Sequence, residues 1–442
     1  MTPQENAPTV LIVAVNPLST TSNNGKTLAS LFEGYPRQSI AQLYFHREIP
    51  TSDVCDNYYR ISDEDLVRGI VRGAAPKGSK VLATDVATRV IPERTNNLLK
   101  KSRAIRFARS LLWKAVSLER GAVREWLDEL NPDVIFFCGG DANHLYKKVL
   151  GLSKRYGAKI VYYITDDYVL PICTANVFHL ITRAWTRRVF KQMCRESSLI
   201  LTIGKKMSRV YESRYDIRSE SVMNLVHIED VEHDGARPTS QPMVFSYVGG
   251  LHSNRWRVLA DLAEALERVW ARGLHGELRI YSEHPPEATQ LKVLDRPPFS
   301  AYCGGLDSEG VRTVLRESDV LVHVEASDRK SKRVTSLSIS TKISEYMAAG
   351  KPILAIGPKD VASIEYLEQT SSAFLVAPTS AEAIDSTLAE IMSDHGQRQR
   401  RARRARATAR ASHDEKVVRP QFQQRIVALG RSPRAKESGG SP

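Results

Sequence analysis

The stretch SISTKISEYMAAGKPILAIGP, Ser338 to Pro358, carries the residue types that hold an anion beside a diol. Ser340 or Thr341 can cap a helix whose free N–H groups and positive end attract a diphosphate, and Lys342 adds a full charge at its mouth. One turn on, Glu345 lies on the same side as Thr341, where a carboxylate can accept two hydrogen bonds from a ribose. Gly350 stops the helix and Pro352 blocks its return, so a strand follows at once. The same spacing fits a plain surface ion pair between Lys342 and Glu345, and the segment by itself does not separate the two.

A second element bears on that choice. In YVGGLHSNR, Gly249 and Gly250 end a strand and let a phosphate approach the backbone, and Arg255 follows with a fork-shaped cation for it. The glycine pair lacks the G-x-G-x-x-G spacing of a dinucleotide site. Glu325, in HVEAS after another strand, is a candidate to approach a donor sugar, and as a loop acid it can equally be solvated.

Earlier in the chain, YYITDDYV puts Asp166 and Asp167 at the carboxyl end of a strand, where ligands bind in open parallel sheets. With Glu325 they are the catalytic candidates, against the plainer role of capping the next turn. FCGGDANHLY ends a strand with Gly139, Gly140 and Asp141, and His144 begins the helix that follows. NPLSTTSNNGKT, Asn16 to Thr27, closes on Gly-Lys-Thr, but Thr20 stands where a phosphate-binding loop needs its first glycine. It therefore reads as a polar strand-to-helix turn, with Lys26 and Thr27 opening the helix. Asn24, Gly25, Lys26, Asp141 and His144 are the acceptor-side candidates.

These residues need elements to position them, and the hydrophobic pattern supplies two sets. Strand-like runs at Thr9 to Val15, Ile40 to Tyr44, Lys80 to Thr84, Val134 to Cys138, Lys159 to Thr165 and Leu199 to Ile203 alternate with helices such as Asn143 to Tyr156. After a polar lapse the alternation restarts: strands at Val244 to Val248, Glu277 to Tyr281, Phe299 to Cys303, Val320 to Val324 and Pro352 to Ile356, with helices at Arg257 to Trp270, Ser308 to Arg316 and Lys342 to Ala349. A further helix from Ser380 is announced by a capping box, Thr379 to Glu382. Strand and helix in alternation imply parallel sheets covered on both faces. The expected division is a first α/β domain over 1–225, a linker over 226–242, a second α/β domain over 243–412, a terminal helix over 413–429 crossing back to the first domain, and a disordered tail over 430–442. Two such domains are expected to face one another across a ligand-binding cleft.

With 442 residues the chain exceeds one hydrophobic core. No run of about 18 apolar residues occurs and Met1 to Pro8 lacks a secretory pattern, so a cytoplasmic protein is expected, at most lying on a membrane surface. Cys55, Cys138, Cys173, Cys194 and Cys303 are scattered without histidines at ligand spacing, so no metal site and no disulfide framework is indicated. The net charge of +13 is concentrated in two blocks. LLKKSRAIRFARSLLWKAV, Leu98 to Val116, sets Leu112, Trp113 and Val116 among basic residues and suggests contact with an anionic membrane. RQRRARRARATAR, Arg398 to Arg410, has no aromatic residues to stack bases, so a solvated helix face is favoured over specific nucleic-acid binding.

Together, Phe245 to Pro358, with FSYVGG, YCGGLDSEGVRTVLRESDVLVHVEAS and STKISEYMAAGKPILAIGP, resembles the retaining glycosyltransferases of the two-domain GT-B fold, in particular family 4 and its relatives in polysaccharide assembly. LTIGKKMSRVYESRY, Leu201 to Tyr215, looks like the segment that closes the first domain in that family. The resemblance implies a nucleoside-diphosphate sugar as donor substrate, no cofactor and no metal, with Arg255 and Lys342 on the diphosphate and Glu345 on the ribose. It also implies transfer with retention to a glycan or lipid-linked glycan held by the first domain. Many members carry another glutamate eight positions before the ribose glutamate, and here that position is Leu337, so the sugar's identity does not carry over. The competing readings are a nucleotide-sugar epimerase of the same fold and a non-catalytic nucleotide-sugar or nucleic-acid binding protein.

Overall fold

Val10–Ala14 holds five buried residues with no polar side chain, and it forms β1 in the interior of a sheet that covers it on both edges. The computed structural model describes residues 7–20, 23–71, 78–81, 112–113, 118, 120–170, 177–228, 242–378 and 380–433. In chain order the other strands of this sheet are β2 (Ile40–Tyr44), β3 (Asn57–Arg60), β4 (Ser79–Val81), β5 (Val134–Cys138), β6 (Lys159–Ile164), β7 (Leu199–Thr202) and β8 (Glu220–Ser221). They lie in the order β4-β3-β2-β1-β5-β6-β7-β8. All neighbours are parallel except β4, which runs antiparallel to β3. The expectation of a wholly parallel sheet fails there because β4 is a three-residue edge strand, paired on one side only and free of the crossover constraint on interior strands.

The second sheet is built from β9 (Met243–Val248), β10 (Gly276–Tyr281), β11 (Ser300–Gly304), β12 (Val320–Val324), β13 (Ile353–Ile356) and β14 (Phe374–Val376), in the order β11-β10-β9-β12-β13-β14. Every pair is parallel. On one face lies the helix Arg255–Trp270, which buries Val258, Leu259, Leu262, Ala263, Leu266 and Val269 at helical spacing. The other face packs Ile343 and Met347 with Ala405 and Ala409 of the helix His395–Ser412. Alanines fill the buried positions of that basic helix; Arg400, Arg403, Arg404 and Arg410 are exposed, whereas Arg398 donates to the carbonyl of Ile391 and Arg401 lays its guanidinium 4.5 Å over Phe374.

The chain divides into two compact units, one reaching Val222 and resuming at Arg419, the other running Met223–Val418. Val226 donates to the carbonyl of His413 at 2.9 Å and Ile228 is buried with the second unit's core. The last helix, Glu415–Arg431, brings Phe422 edge-on to Phe32 and Phe136 in the first unit and places Arg419 Nε 2.8 Å from the carbonyl of Ser30. It continues through Gly430 and Arg431, where a disordered tail is expected, and 434–442 lie outside the described residues.

Two further readings change. The helix Ala381–Ser393 is capped by Ser380, whose hydroxyl accepts from the N–H of Ala383, and Thr379 lies outside the described residues. Trp113 is no membrane-facing side chain: it is fully buried, donates from Nε1 to Asp63 at 2.7 Å and stacks on His144 with ring centroids 5.1 Å apart. A buried tryptophan with its N–H satisfied is a core anchor. Leu98 to Leu111 and Lys114 to Val116 lie outside the described residues. No helix among the described residues is long and apolar enough to cross a membrane.

Candidate functional site

Strand order reverses between β9 and β12, so the loops after these two strands flank the crevice at which open α/β sheets bind ligands. After β9 come Gly249 and Gly250. A Cβ on Gly249 would stand 2.9 Å from Oη of Tyr247, and one on Gly250 would stand 2.5 Å from Nδ1 of His252. Neither position therefore accepts a larger residue without movement, and the tight turn is fastened by Tyr247 Oη, which donates to the carbonyl of Gly250 at 2.8 Å. Ser253 and Asn254 then take left-handed conformations, with φ of 56° and 57°, and swing the chain into a helix whose first residue is Arg255. Asn254 Nδ2 donates at 2.9 Å to Asp328, which itself caps the helix Arg329–Thr335 by accepting from the N–H of Ser331. Those hydrogen bonds, Asn254's first, hold the Asp328 carboxyl at about 2. The two loops are thus tied across the switch point.

Arg255 is not a free surface cation. Its Nη2 donates to both oxygens of Glu325 at 3.1 and 3.2 Å, and Nε is buried with no acceptor among the described residues. Glu325 is 2 % exposed. Burial pushes its carboxyl up, but His323, whose Nε2 lies 3.4 Å from Oε1, and Arg255 outweigh that and hold it below the usual carboxylate range. Burial likewise pulls the guanidinium of Arg255 down, and Glu325 more than offsets it. Of the two readings of Glu325, the solvated loop acid is excluded: the residue sits just beyond β12, in the interior, facing Arg255.

The helix Lys342–Ala348 hangs from the same strands. Tyr346, buried and missed in the sequence, accepts from the N–H of Val248 at 3.0 Å and donates to its carbonyl at 3.3 Å, so the helix is pinned to the last residue of β9. Thr341 occupies the N-cap position without a side-chain cap, and the hydroxyl of Ser340 accepts from the N–H of Lys342 only at 3.4 Å. Seven residues make a weak dipole, which leaves the charge of Lys342 as the main attraction for an anion. Lys342 Nζ donates to Glu345 Oε2 at 3.0 Å. Gly350 ends the helix with φ of 65°, and Leu337, eight positions before Glu345, is buried. The side chain of Tyr346 carried a signal, its place one residue after Glu345, but only the three-dimensional contact reveals its partner.

In the first unit the corresponding reversal lies between β1 and β5, placing the loops after these two strands at the switch point. Gln42, fully buried on β2, accepts from the N–H of Leu18 at 2.9 Å and donates to the carbonyl of Asn16 at 3.0 Å, fastening the first of these loops. The helix that follows opens at Asn23, earlier than Lys26. Gly25 is buried, and a Cβ there would meet the carbonyl of Pro17 at 2.3 Å, whereas Asn24 is half-buried and Lys26 exposed. Gly25 thus serves the packing of the turn. Asp141 is exposed in the β5 loop, and His144 lies in the first turn of Asn143–Tyr156 against Trp113. Asp167 accepts from the N–H groups of Val169 and Leu170 and from Tyr211 Oη at 2.8 Å, the turn-capping role that stands against its reading as a catalytic candidate. Asp166, next to it, accepts from Tyr168 Oη at 3.4 Å. Among the described residues no three His, Cys, Asp or Glu side chains converge in metal-ligand geometry.

No curated protein matches the chain by sequence. HepE of Anabaena in complex with UDP is similar in structure, with a TM-score of 0.61 at 13% identity over 95% of this chain and 100% of that one. Sucrose-phosphate synthase of Thermosynechococcus elongatus is similar with a TM-score of 0.62 at 14% identity over 96% and 100%. An α,α-trehalose 6-phosphate synthase of Burkholderia multivorans follows the same pattern, with a TM-score of 0.59 at 12% identity over 96% and 98%. The chain therefore has the two-unit α/β fold of the GT-B kind, and residues 242–394, which hold Arg255, Glu325, Lys342 and Glu345, match the family described as glycosyl transferases group 1.

Proposed function

We propose that the chain is a retaining glycosyltransferase that moves a sugar from a nucleoside-diphosphate sugar to a hydroxyl of a glycan or lipid-linked glycan. The observation that carries this reading is the gathering of Arg255 and the Lys342–Glu345 pair on elements fastened to the end of β9, within the segment that matches glycosyl transferases group 1. UDP is the first nucleotide to test, because HepE is described in complexes with UDP and with UDP-glucose.

In this reading Arg255 and Lys342 neutralise the diphosphate, Gly249 and Gly250 let it approach the backbone, Ser340 and Thr341 line the turn beside it, and Glu345 accepts from the ribose. The bond from the anomeric carbon to the diphosphate breaks as the acceptor oxygen attacks on the same face, and the leaving phosphate oxygen takes the acceptor's proton. No protein base is then required, and Asp166 orients the sugar or the acceptor. Charge neutralisation rests on side chains, so neither metal nor cofactor is needed. Contact with an anionic membrane would come from the basic residues of Leu98 to Val116, without Trp113.

Thermal-shift screening of nucleotides and nucleotide sugars, followed by turnover of a labelled donor with and without EDTA, tests the proposal. A nucleoside diphosphate that stabilises the protein and a donor consumed equally in chelator are the expected results. Stabilisation by no nucleotide at all would refute the donor site, and turnover restored only by a divalent ion would refute metal independence.

A further inference from the structure

We propose that Glu325 and His323 form a hand-over pair that restrains Arg255 in the empty site and releases it when a diphosphate arrives; this rests on the donor-site reading above. His323 and Glu325 are two residues apart at the end of β12, so their side chains share one face, and Arg255 meets that face from across the switch point. Arg255 engages the carboxylate through Nη2 alone, bridging both oxygens, instead of presenting two parallel donors. That is the looser of the two geometries open to an arginine and a carboxylate, and it leaves part of the guanidinium uncommitted, with Nε lacking any acceptor among the described residues.

A carboxylate as buried as Glu325 cannot be abandoned by its cation unless another donor takes over. His323 is placed to do so. Its Nε2 is 3.4 Å from Glu325 Oε1, is itself buried, and has no other hydrogen-bond partner among the described residues. When the phosphate oxygens draw the guanidinium away, Glu325 closes on Nε2–H of His323 and keeps a partner. Before that, Glu325 competes with the ligand for Arg255 and lowers the affinity for any anion. Glu325 and His323 are therefore positioning residues that act through Arg255.

Calorimetric titration of the full chain with UDP, with pyrophosphate as the second probe, tests the hand-over. Glu325→Gln keeps the shape but removes the competing charge, and should bind UDP about tenfold more tightly or better, while its turnover falls because the product is retained. His323→Phe removes the second partner and should weaken UDP. In the double variant the His323→Phe penalty should vanish, because His323 acts only through Glu325. Unchanged or weaker binding by Glu325→Gln, or a His323→Phe penalty that persists beside it, overturns the proposal. Should His323→Phe fail to fold, the isosteric Glu325→Gln decides alone. Arg255→Ala separates the two levels of inference. If it abolishes UDP binding while Glu325→Gln does nothing, the donor site stands and the hand-over falls; if it leaves UDP binding intact, both fall.

Discussion

Lys342 Nζ lies 3.0 Å from Glu345 Oε2, one turn apart on a helix, with the two side chains 30% and 19% exposed. A partly exposed pair of this kind adds little stability, and the donor-site reading proposed above gives it a use. Lys342→Ala should weaken a nucleoside diphosphate by about 1.5 to 3 kcal/mol, roughly ten- to more than hundredfold. Glu345→Gln should cost less for the nucleotide and, having freed Lys342, should leave pyrophosphate bound as well or better. Calorimetry with both ligands reads the difference. Equal weakening of both by Glu345→Gln would end the ribose assignment.

The two adjacent aspartates are expected to part company. Asp167 satisfies two backbone N–H groups and Tyr211, so Asp167→Ala leaves buried donors unpaired and should destabilise the first unit by about 2 to 4 kcal/mol, as denaturant unfolding would register. Asp166→Asn should leave that unfolding curve nearly in place and lower turnover. A reversed pattern would mean that the turn is held by Asp166.

Trp113 supplies a test of the membrane expectation. Truncating this fully buried ring to alanine should cost about 3 to 5 kcal/mol of stability. Trp113→Phe keeps most of the ring volume and should bind anionic vesicles as the parent does, with any binding fading as salt screens the basic residues. Loss of vesicle binding by a folded Trp113→Phe would restore the indole as a membrane anchor.

Acid should weaken the second unit through His413. Its ring is fully buried, with Nε2 2.7 Å from Tyr366 Oη, and burial pulls its pKa down to about 4. An unfolded histidine titrates near 6.5, so the unfolded chain takes up the proton first. The stabilisation from keeping this ring neutral is complete above that value and is lost as pH falls towards about 4, amounting to roughly 3 kcal/mol. Thermal unfolding of the parent and His413→Gln between these limits checks it: the parent's melting temperature should drop more steeply with acid.

Alternating apolar runs and helical stripes were legible along the chain because interior strands such as Val134–Cys138 and helices such as Asn143–Tyr156 are long and uniformly patterned. The same holds for the junctions at Gly249 and Gly350, where glycines mark local backbone requirements between strand and helix. Short elements escaped. β3 and β14 have four and three residues, too few for a period to show, and they exist because neighbouring strands offer an edge to pair with.

Residue type and spacing along one segment determined which groups are available: a lysine one turn from a glutamate, an arginine after two glycines, two aspartates at a strand's end. Tertiary structure alone decided how they are used. Burial turned Trp113 from a surface anchor into a core residue, spent Asp167 on a turn, and drew Glu325 inward to face an arginine 70 positions away in sequence. These outcomes depend on desolvation and on partners brought together from distant segments, and neither quantity is written in the local pattern of the chain.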